Sequence, residues 1–386
     1  MRGKVAIVGA ADTEVGKVPG LSSTELCIEA ALRALDDAGM SKDEVDGLVT
    51  CNSMAEPHMY QAEVLAEYLQ IFPRYCISAS AGGGTTYSSL FHAANAIAAG
   101  VCETVLICLA DSLRSGLSRD QAMQMQSSTG HREFEIPYGP TVPAYYALIA
   151  RAHMDTYGTT PEQFAAVAVH ARRHAARNPA AQMRDLISID DVLNSRMIAD
   201  PLHLLDCSLV SDGGAAVILT SASRAKNFRH HPVYLLGAGE GHSHEHISQA
   251  HDLTTSAAAD SGRRAFHMAG LGPADIDVAG IYDCFTPVVL IELEDLGFCA
   301  KGEAGSFVAA GETALEGSLP MNTHGGLLSH CHPGHPGAIF ALTEAVTQLR
   351  HAAGERQVGE AEIALVHAQG GIMSSHSTLI LGRERD

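Results

Sequence analysis

The sequence predicts an α/β protein made of two similar halves, with an insertion in the first. Three observations lead there. Apolar strand-like runs alternate with alanine-rich helical runs, the pattern of buried mixed or parallel sheets. Two stretches, ALDDAGMSKDEVDGLV (34–49) and AFHMAGLGPADIDVAG (265–280), share one design at identical spacing. Each has a helix tail, Ala-Gly-apolar, an acidic turn, then Val-Asp or Ile-Asp opening a strand. The segment from about 112 to 203 has no counterpart in the second half. Repeats constrain a fold more tightly than any single element.

The elements follow in matching order. Each half opens on a strand flanked by glycine, KVAIVGA near the start and PVYLLGAG from Pro232. In the first half RYCIS is a short strand, Gly82–Gly84 a turn, LFHAANAIAAG a helix and ETVLICLAD a strand. The insertion holds a polar run, DQAMQMQSSTG, and two helices, TVPAYYALIARAHMDTYG and PEQFAAVAVHARRHAARN; it reads as a lid. SDGGAAVILTS closes this half. The second half carries GGLLSHCHPGHPG, the helix AIFALTEAVTQLR and the strand EIALVHAQGG. The halves are therefore 1–225, with the lid at about 112–203, and 226–386.

Composition excludes several function classes. The 386 residues are 46% hydrophobic, enough for a large core, and abundant Ala and Gly favour close helix–sheet packing. Lys and Arg number 25 against 44 Asp and Glu, a formal charge of −19. Nucleic acid is an unsuitable partner, because binding it needs basic residues in excess. Nine cysteines without a CxxC pair read as free thiols in a reducing cytoplasm. The first apolar run breaks at Gly9 and reads as a strand, not a leader, and no run is long enough to span a membrane. A cytoplasmic enzyme is the expectation.

Chemistry concentrates at the glycine turns. SASAGGGTTYSS (78–89) presents backbone N–H groups and a positive helix end, suited to a phosphate or to a carbonyl oxygen gaining charge. Where the turn ought to carry a reactive side chain it carries glycine. The run GHSHEHISQAHD invites a metal reading, but no cysteine or carboxylate completes a set, and no metal is expected in this chain. The basic cluster ARRHAARN reads as the solvated face of a lid helix before it reads as a phosphate contact.

PLHLLDCSLVSDGGAAVIL (201–219), GEGHSHEH (239–246), YDCFTPVVLIELEDLGFC (282–299) and NTHGGLLSHCHPGHPG (322–337) run in an order that resembles the thiolase superfamily. The resemblance is greatest to its sterol-carrier-type branch and the related steroid side-chain aldolases, and it covers almost the whole chain. It implies the duplicated five-layer α-β-α-β-α fold and chemistry on an acyl-CoA thioester. Coenzyme A is then the only cofactor, arriving as the acyl-CoA substrate.

Carried over position by position, the thiolase nucleophile falls on Gly83, the GHP histidine on His332, the second cysteine near Gly370, and the N-E-A-F position on Tyr282. Neither glycine loop contains a cysteine. The resemblance thus implies Tyr282, His332 and Asp283 as catalytic residues, with Gly83, Gly84, His324, Gly370 and Gly371 around the acyl-CoA. A β-ketoacyl substrate needs a nucleophile at the ketone; a β-hydroxyacyl substrate needs only a base and a stabilised enolate. A retro-aldol lyase on a β-hydroxyacyl-CoA of steroid side-chain or aromatic acyl type is favoured. Tyr282 serves it as base or acid if its surroundings lower its pKa. His332 departs from the aldolase pattern, which has tyrosine there. A thiolase-type acyltransferase, with Cys331 recruited, and a catalytically silent subunit stay open. The resemblance also implies a homodimer, which in relatives without both cysteines is often joined by a small zinc-ribbon/OB-fold partner in a heterotetramer; the lack of a membrane-length run makes no membrane association the expectation.

Overall fold

A computed structural model describes residues 1–385. Eleven strands form: β1 (Val5–Asp12), β2 (Gly47–Cys51), β3 (Tyr75–Ala79), β4 (Thr104–Ser112), the small hairpin β5 (Met197–Ala199) and β6 (Leu202–His203), then β7 (Asp212–Ser221), β8 (Val233–His242), β9 (Val278–Ile281), β10 (Ile363–Gly370) and β11 (Ser375–Gly382). Apart from the hairpin they lie in the order β3-β2-β4-β7-β1-β8-β11-β10-β9.

The duplication is visible in this order. In the first half β3 and β4 flank β2 in parallel, β7 runs antiparallel to β4, and β1 antiparallel to β7. In the second half β10 is parallel to β9, β11 antiparallel to β10, and β8 antiparallel to β11. The sequence of pairings is the same, less one strand. Where a counterpart of β3 would lie, a single parallel bridge joins Ala279 to Met321. The halves meet edge to edge where β1 pairs with β8 at Ala6–Tyr234 and Ile7–Val233, with the Gly3 N–H donating to the Leu235 carbonyl beside them.

Four helices complete the layers: α1 (Ser23–Ala38), α2 (Thr85–Ala98), α3 (Ala258–Ala269) and α4 (Ile339–Leu349). α1 packs on β1, β4 and β7, and α3 on β8 and β11, each within its own half. α2 and α4 touch strands of both halves and form the middle layer. The start of α1 is fixed by a capping box between Ser22 and Glu25, and its end by Gly39 in the left-handed conformation. Close packing explains the glycine beside the first strand of each half. A Cβ on Gly9 would lie 2.5 Å from the Ala34 carbonyl oxygen, and one on Gly237 would collide with that of Ala265.

The 112–203 segment does more than cover the fold. Its helix Pro161–Ala176 is largely buried and lies against the loop 326–330. Within the ARRHAARN cluster Arg172 is buried: its Nε donates to Ser329 Oγ at 3.0 Å and its guanidinium to the Asp185 carbonyl. The expectation of a solvated face holds for Arg173 and Arg177, whereas Arg172, His174 and Asn178 are buried. Asn178 donates to the His324 carbonyl, and the N–H groups of Gln182 and Met183 donate to the carbonyls of His330 and Ser329. The insertion thus clamps the loop that carries His332.

Candidate active site

Tyr282 follows β9 directly, and the turn Gly82–Gly84 enters α2 opposite it. A Cβ built on Gly83 would fall inside the van der Waals envelope of the Tyr282 Cζ and Oη and of the Gln369 carbonyl oxygen. Glycine at 83 is therefore the condition for the phenol to be where it is. A Cβ on Gly82 would lie 2.7 Å from Gly370 Cα and 2.9 Å from Gly371 N, so the two glycine loops touch backbone to backbone. Gly82 and Gly371 have φ of 57° and 67°, which suit glycine. Of the expected donors, the Gly84 N–H turns back to the Ala81 carbonyl at 3.2 Å.

The Tyr282 hydroxyl stands 3.0 Å from His332 Nε2, and His332 Nδ1 stands 2.9 Å from Ser208 Oγ. The loop with His332 is tied to the segment before β7. The His332 N–H donates to Ser211 Oγ and the Ser211 N–H to the His332 carbonyl. Neighbouring Asp212 accepts from the N–H groups of Val18, Arg114 and Ser115. The conformation of DCSLVSDGG is thus what aims the imidazole. A neutral imidazole carries one proton, so the chain Ser208–His332–Tyr282 runs in one of two directions. In one, Tyr282 donates to Nε2; in the other, Nε2–H donates to Tyr282, whose own proton is free for a ligand.

Burial sets the charge states. Tyr282 is pushed well above the ordinary phenol value, first by desolvation and then by Cys284 and Asp283. The condition set for a free phenolate base, surroundings that lower its pKa, is therefore not met. His332 is pulled down to about 4, chiefly by desolvation. The resting pair is a neutral phenol and a neutral imidazole.

Asp283 shares no hydrogen bond with Tyr282 Oη or His332. Its carboxylate accepts from the N–H groups of Leu327, at 2.7 Å, and Leu328, at 3.4 Å, and desolvation raises it to about 7. It anchors the start of the turn Gly326–His330; Gly326 has φ of 63°, and a Cβ there would collide with the carboxylate. His324 is 5% exposed, edge-on to His330 with ring centroids 5.3 Å apart. It borders, with Tyr282, Tyr87 and His367, a void of about 10 Å³, at the lower limit for one water. Its position is at the inner end of the site, away from solvent. Cys331 is 1% exposed and its thiol is pushed well up by burial, the opposite of an activated nucleophile.

Two site neighbours escaped the sequence reading. Ser208 is the first; the pairing of Cys207 with Phe285 brings it beside the YDCF stretch. Tyr146 is the second, from the inserted segment. It stacks on Phe285 at 4.4 Å, donates to the Gly371 carbonyl at 3.0 Å and accepts from Gln369 Nε2 at 2.6 Å. The histidines of GHSHEHISQAHD do not converge: His242 bonds Ser375, and His244 bonds Ser243 and the Ile372 carbonyl.

The buried histidines predict acid sensitivity. His324, His170 and His332 are held down to about 4, first by desolvation, from an ordinary 6.5. Above pH 6.5 they are neutral in both folded and unfolded chains. As pH falls from 6.5 through 4, the unfolded chain takes up protons the folded one refuses, so stability is lost. For His324, almost wholly buried, the loss approaches about 3 kcal/mol. The urea midpoint should fall steeply between pH 6.5 and 4.5, and less steeply in His324→Gln. A midpoint unchanged over that range would contradict the buried neutral state.

No helix is long and apolar enough to cross a membrane among the described residues. Comparison with known proteins bears on the rest. The family model "Thiolase, N-terminal domain" matches residues 5–223, and "Thiolase C-terminal domain-like" matches 239–383. A steroid side-chain-cleaving aldolase of Thermomonospora curvata is 37% identical, covering 99% of both chains. A 17-hydroxy-3-oxo-4-pregnene-20-carboxyl-CoA lyase of Mycobacterium tuberculosis is 38% identical over 99% of this chain and 100% of its own. An acetyl-CoA acetyltransferase of Methanothermobacter thermautotrophicus is 35% identical over 98% and 99%. A solved Ltp2-ChsH2(DUF35) aldolase superposes with a TM-score of 0.88 at 36% identity, over 99% of this chain and 98% of that one.

Proposed function

Since the chain belongs to the thiolase family, we propose that it is an acyl-CoA carbon–carbon lyase acting on a β-hydroxyacyl-CoA by retro-aldol cleavage. One observation carries this reading. The space a nucleophilic side chain at position 83 would need is filled by the Tyr282 phenol, hydrogen-bonded to His332. The relatives named as an aldolase and a CoA lyase support it.

The step balances without a covalent enzyme intermediate. Tyr282 takes the proton of the β-hydroxyl while passing its own to His332 Nε2, so no free phenolate forms. The electrons of that O–H bond become the carbonyl π bond of the leaving aldehyde or ketone. The Cα–Cβ bond breaks and its electrons pass to the thioester enolate. Nδ1–H of the transient imidazolium is held by Ser208, and backbone N–H groups of the touching glycine loops stabilise the enolate oxygen. His332 returns its proton to Tyr282, and the proton on Tyr282 goes to Cα, giving a shortened acyl-CoA. Asp283 acts here as a positioning residue, holding the loop that carries His332.

The substrate is of steroid side-chain or aromatic acyl type. Homodimerisation is supported by the edge strand β3, on which Ile77 is exposed, and by Tyr68 and Phe72, exposed in the segment before it. A partner subunit is supported by the complex named for the solved relative; on this reading it is a small zinc-ribbon/OB-fold protein that completes a heterotetramer and helps to bind CoA. Mass-spectrometric product analysis tests the reading, with and without such a partner. A β-hydroxyacyl-CoA panel should yield an aldehyde or ketone plus a shortened acyl-CoA without free CoA. Cleavage confined to β-ketoacyl-CoA plus free CoA would establish the acyltransferase reading. Silence toward both panels with the partner present would leave a non-catalytic subunit.

A further inference from the structure

Behind the wall that bears Tyr282, three side chains from three elements converge on one point: Glu292 from the helix Thr286–Asp295, His367 from β10 and His376 from β11. All three are at most 1% exposed. Glu292 Oε1 lies 3.6 Å from His367 Nε2 and 3.9 Å from His376 Nδ1, and the two nitrogens are 3.1 Å apart. Three atoms so spaced lie on a circle of radius about 2.1 Å, the length of a zinc–nitrogen or zinc–oxygen bond.

Neither oxygen of Glu292 has a hydrogen-bond partner, nor does His376 Nε2. A buried carboxyl without a hydrogen-bond partner is costly to a core, and burial raises Glu292 well above the ordinary carboxylate range. A hydrogen bond between the two imidazoles occupies two nitrogens and leaves the carboxylate as it was. Beyond the three, His367 Nδ1 stands 2.8 Å from Thr378 Oγ1, itself 2.8 Å from Ser261 Oγ. This is the outer contact that fixes the ring of a metal-ligating histidine. Burial also lowers the pKa of both imidazoles, which keeps them neutral and ready to ligate.

We propose that Glu292, His367 and His376 bind a divalent d-block cation, zinc by the chemistry of the donors. Two imidazoles and one carboxylate are a zinc set, with a fourth position left for water or the second carboxylate oxygen. The ion takes the place of the Glu292 proton and staples β10 and β11 to the helix after YDCF. It replaces the expectation of a metal-free chain, and it does not rest on the lyase reading. Because the site is closed, the ion enters during folding and exchanges slowly.

The test uses the full chain, expressed with zinc available and dialysed against a chelator. Metal analysis should find close to one equivalent per chain in the wild type, and under a tenth in Glu292→Gln and His376→Ala. Protein grown in cobalt should show visible d–d absorption without thiolate charge transfer, which separates this site from the nine cysteines. The melting temperature adds a sign. With the ion bound, Glu292→Gln lowers it; in an empty site, removing an orphan carboxylate raises it. Wild-type protein with less than a tenth of an equivalent of any d-block metal, metal content unaltered in Glu292→Gln, or a raised melting temperature in that variant each overturns the proposal. Should the variants fail to fold, the wild-type metal content and the cobalt spectrum still decide.

Discussion

Gly83→Cys, which restores the thiolase nucleophile in sequence, is expected to cut turnover of a β-hydroxyacyl-CoA more than a hundredfold and to create no thiolase. The new Cβ would collide with Tyr282 Cζ and Oη and with the Gln369 carbonyl. The carbonyl is main chain at the end of β10, and the adjoining glycine loops already touch. The phenol must therefore leave, and its hydrogen bond to His332 goes with it. Overpacking of this kind costs about 1–3 kcal/mol, so the melting temperature should drop as well. Gly83→Ala should do nearly the same harm, which shows that shape and not the thiol is responsible. Adding Tyr282→Ala to Gly83→Cys should restore part of the stability, because the two sites are coupled, but none of the lyase activity. Measurements of kcat on the hydroxyacyl and ketoacyl panels, alongside thermal melts, decide the matter. A cysteine variant that keeps wild-type lyase activity, or gains CoA-dependent thiolysis, would mean that position 83 and Tyr282 do not compete for one space.

That competition marks the border of what the sequence discloses. The repeat at 34–49 and 265–280 was legible because both copies satisfy the same packing: a glycine of the first strand against an alanine of the following helix, Gly9 on Ala34 and Gly237 on Ala265. Local periodicity carries such information. The missing third strand of the second half was not legible, since Met321 contributes one bridge and no alternating run. Tyr282 and His332 could be picked out because each stands in a short contiguous motif. Ser208 and Tyr146 could not: each contributes through a contact more than 100 residues away in sequence, and neither residue type is unusual where it stands. The direction of the Tyr282 pKa was not legible for the same reason. Desolvation is a sum over everything packed around a group, and no motif records it. The cluster at Glu292, His367 and His376 is the extreme case. Its spacing matches no metal signature, whereas GHSHEHISQAHD looks like one, yet His242 and His244 turn to separate partners and its histidines form no cluster of three among the described residues.

Tyr282→Phe removes one oxygen atom and should lower kcat by a factor of about 10² to 10⁴, the usual worth of a positioned acid–base group. The ring still fills the space opposite Gly83, so the fold should hold. The loss in stability should be near the roughly 1 kcal/mol of a single hydrogen bond. KM should change little, because the hydroxyl acts on the reacting proton and not on the CoA. The partner residue gives the test its second axis. His332 must be neutral to accept, and it is held at about 4 by desolvation. The wild-type profile of kcat/KM should thus be level through neutral pH and fall only as pH approaches 4. Ser208→Ala removes the acceptor for Nδ1–H without touching the reacting atoms. It should cost about tenfold through loss of the favoured tautomer, and should move the acid limb, an effect that a merely structural serine would not produce. Tyr282→Phe with more than a tenth of wild-type kcat would remove the phenol from the chemistry. The enolate would then have to arise at the glycine loops, with His332 as the base acting directly on the substrate hydroxyl. In that case His332→Gln alone would abolish the reaction, and Ser208→Ala would become the more damaging of the two single-oxygen changes.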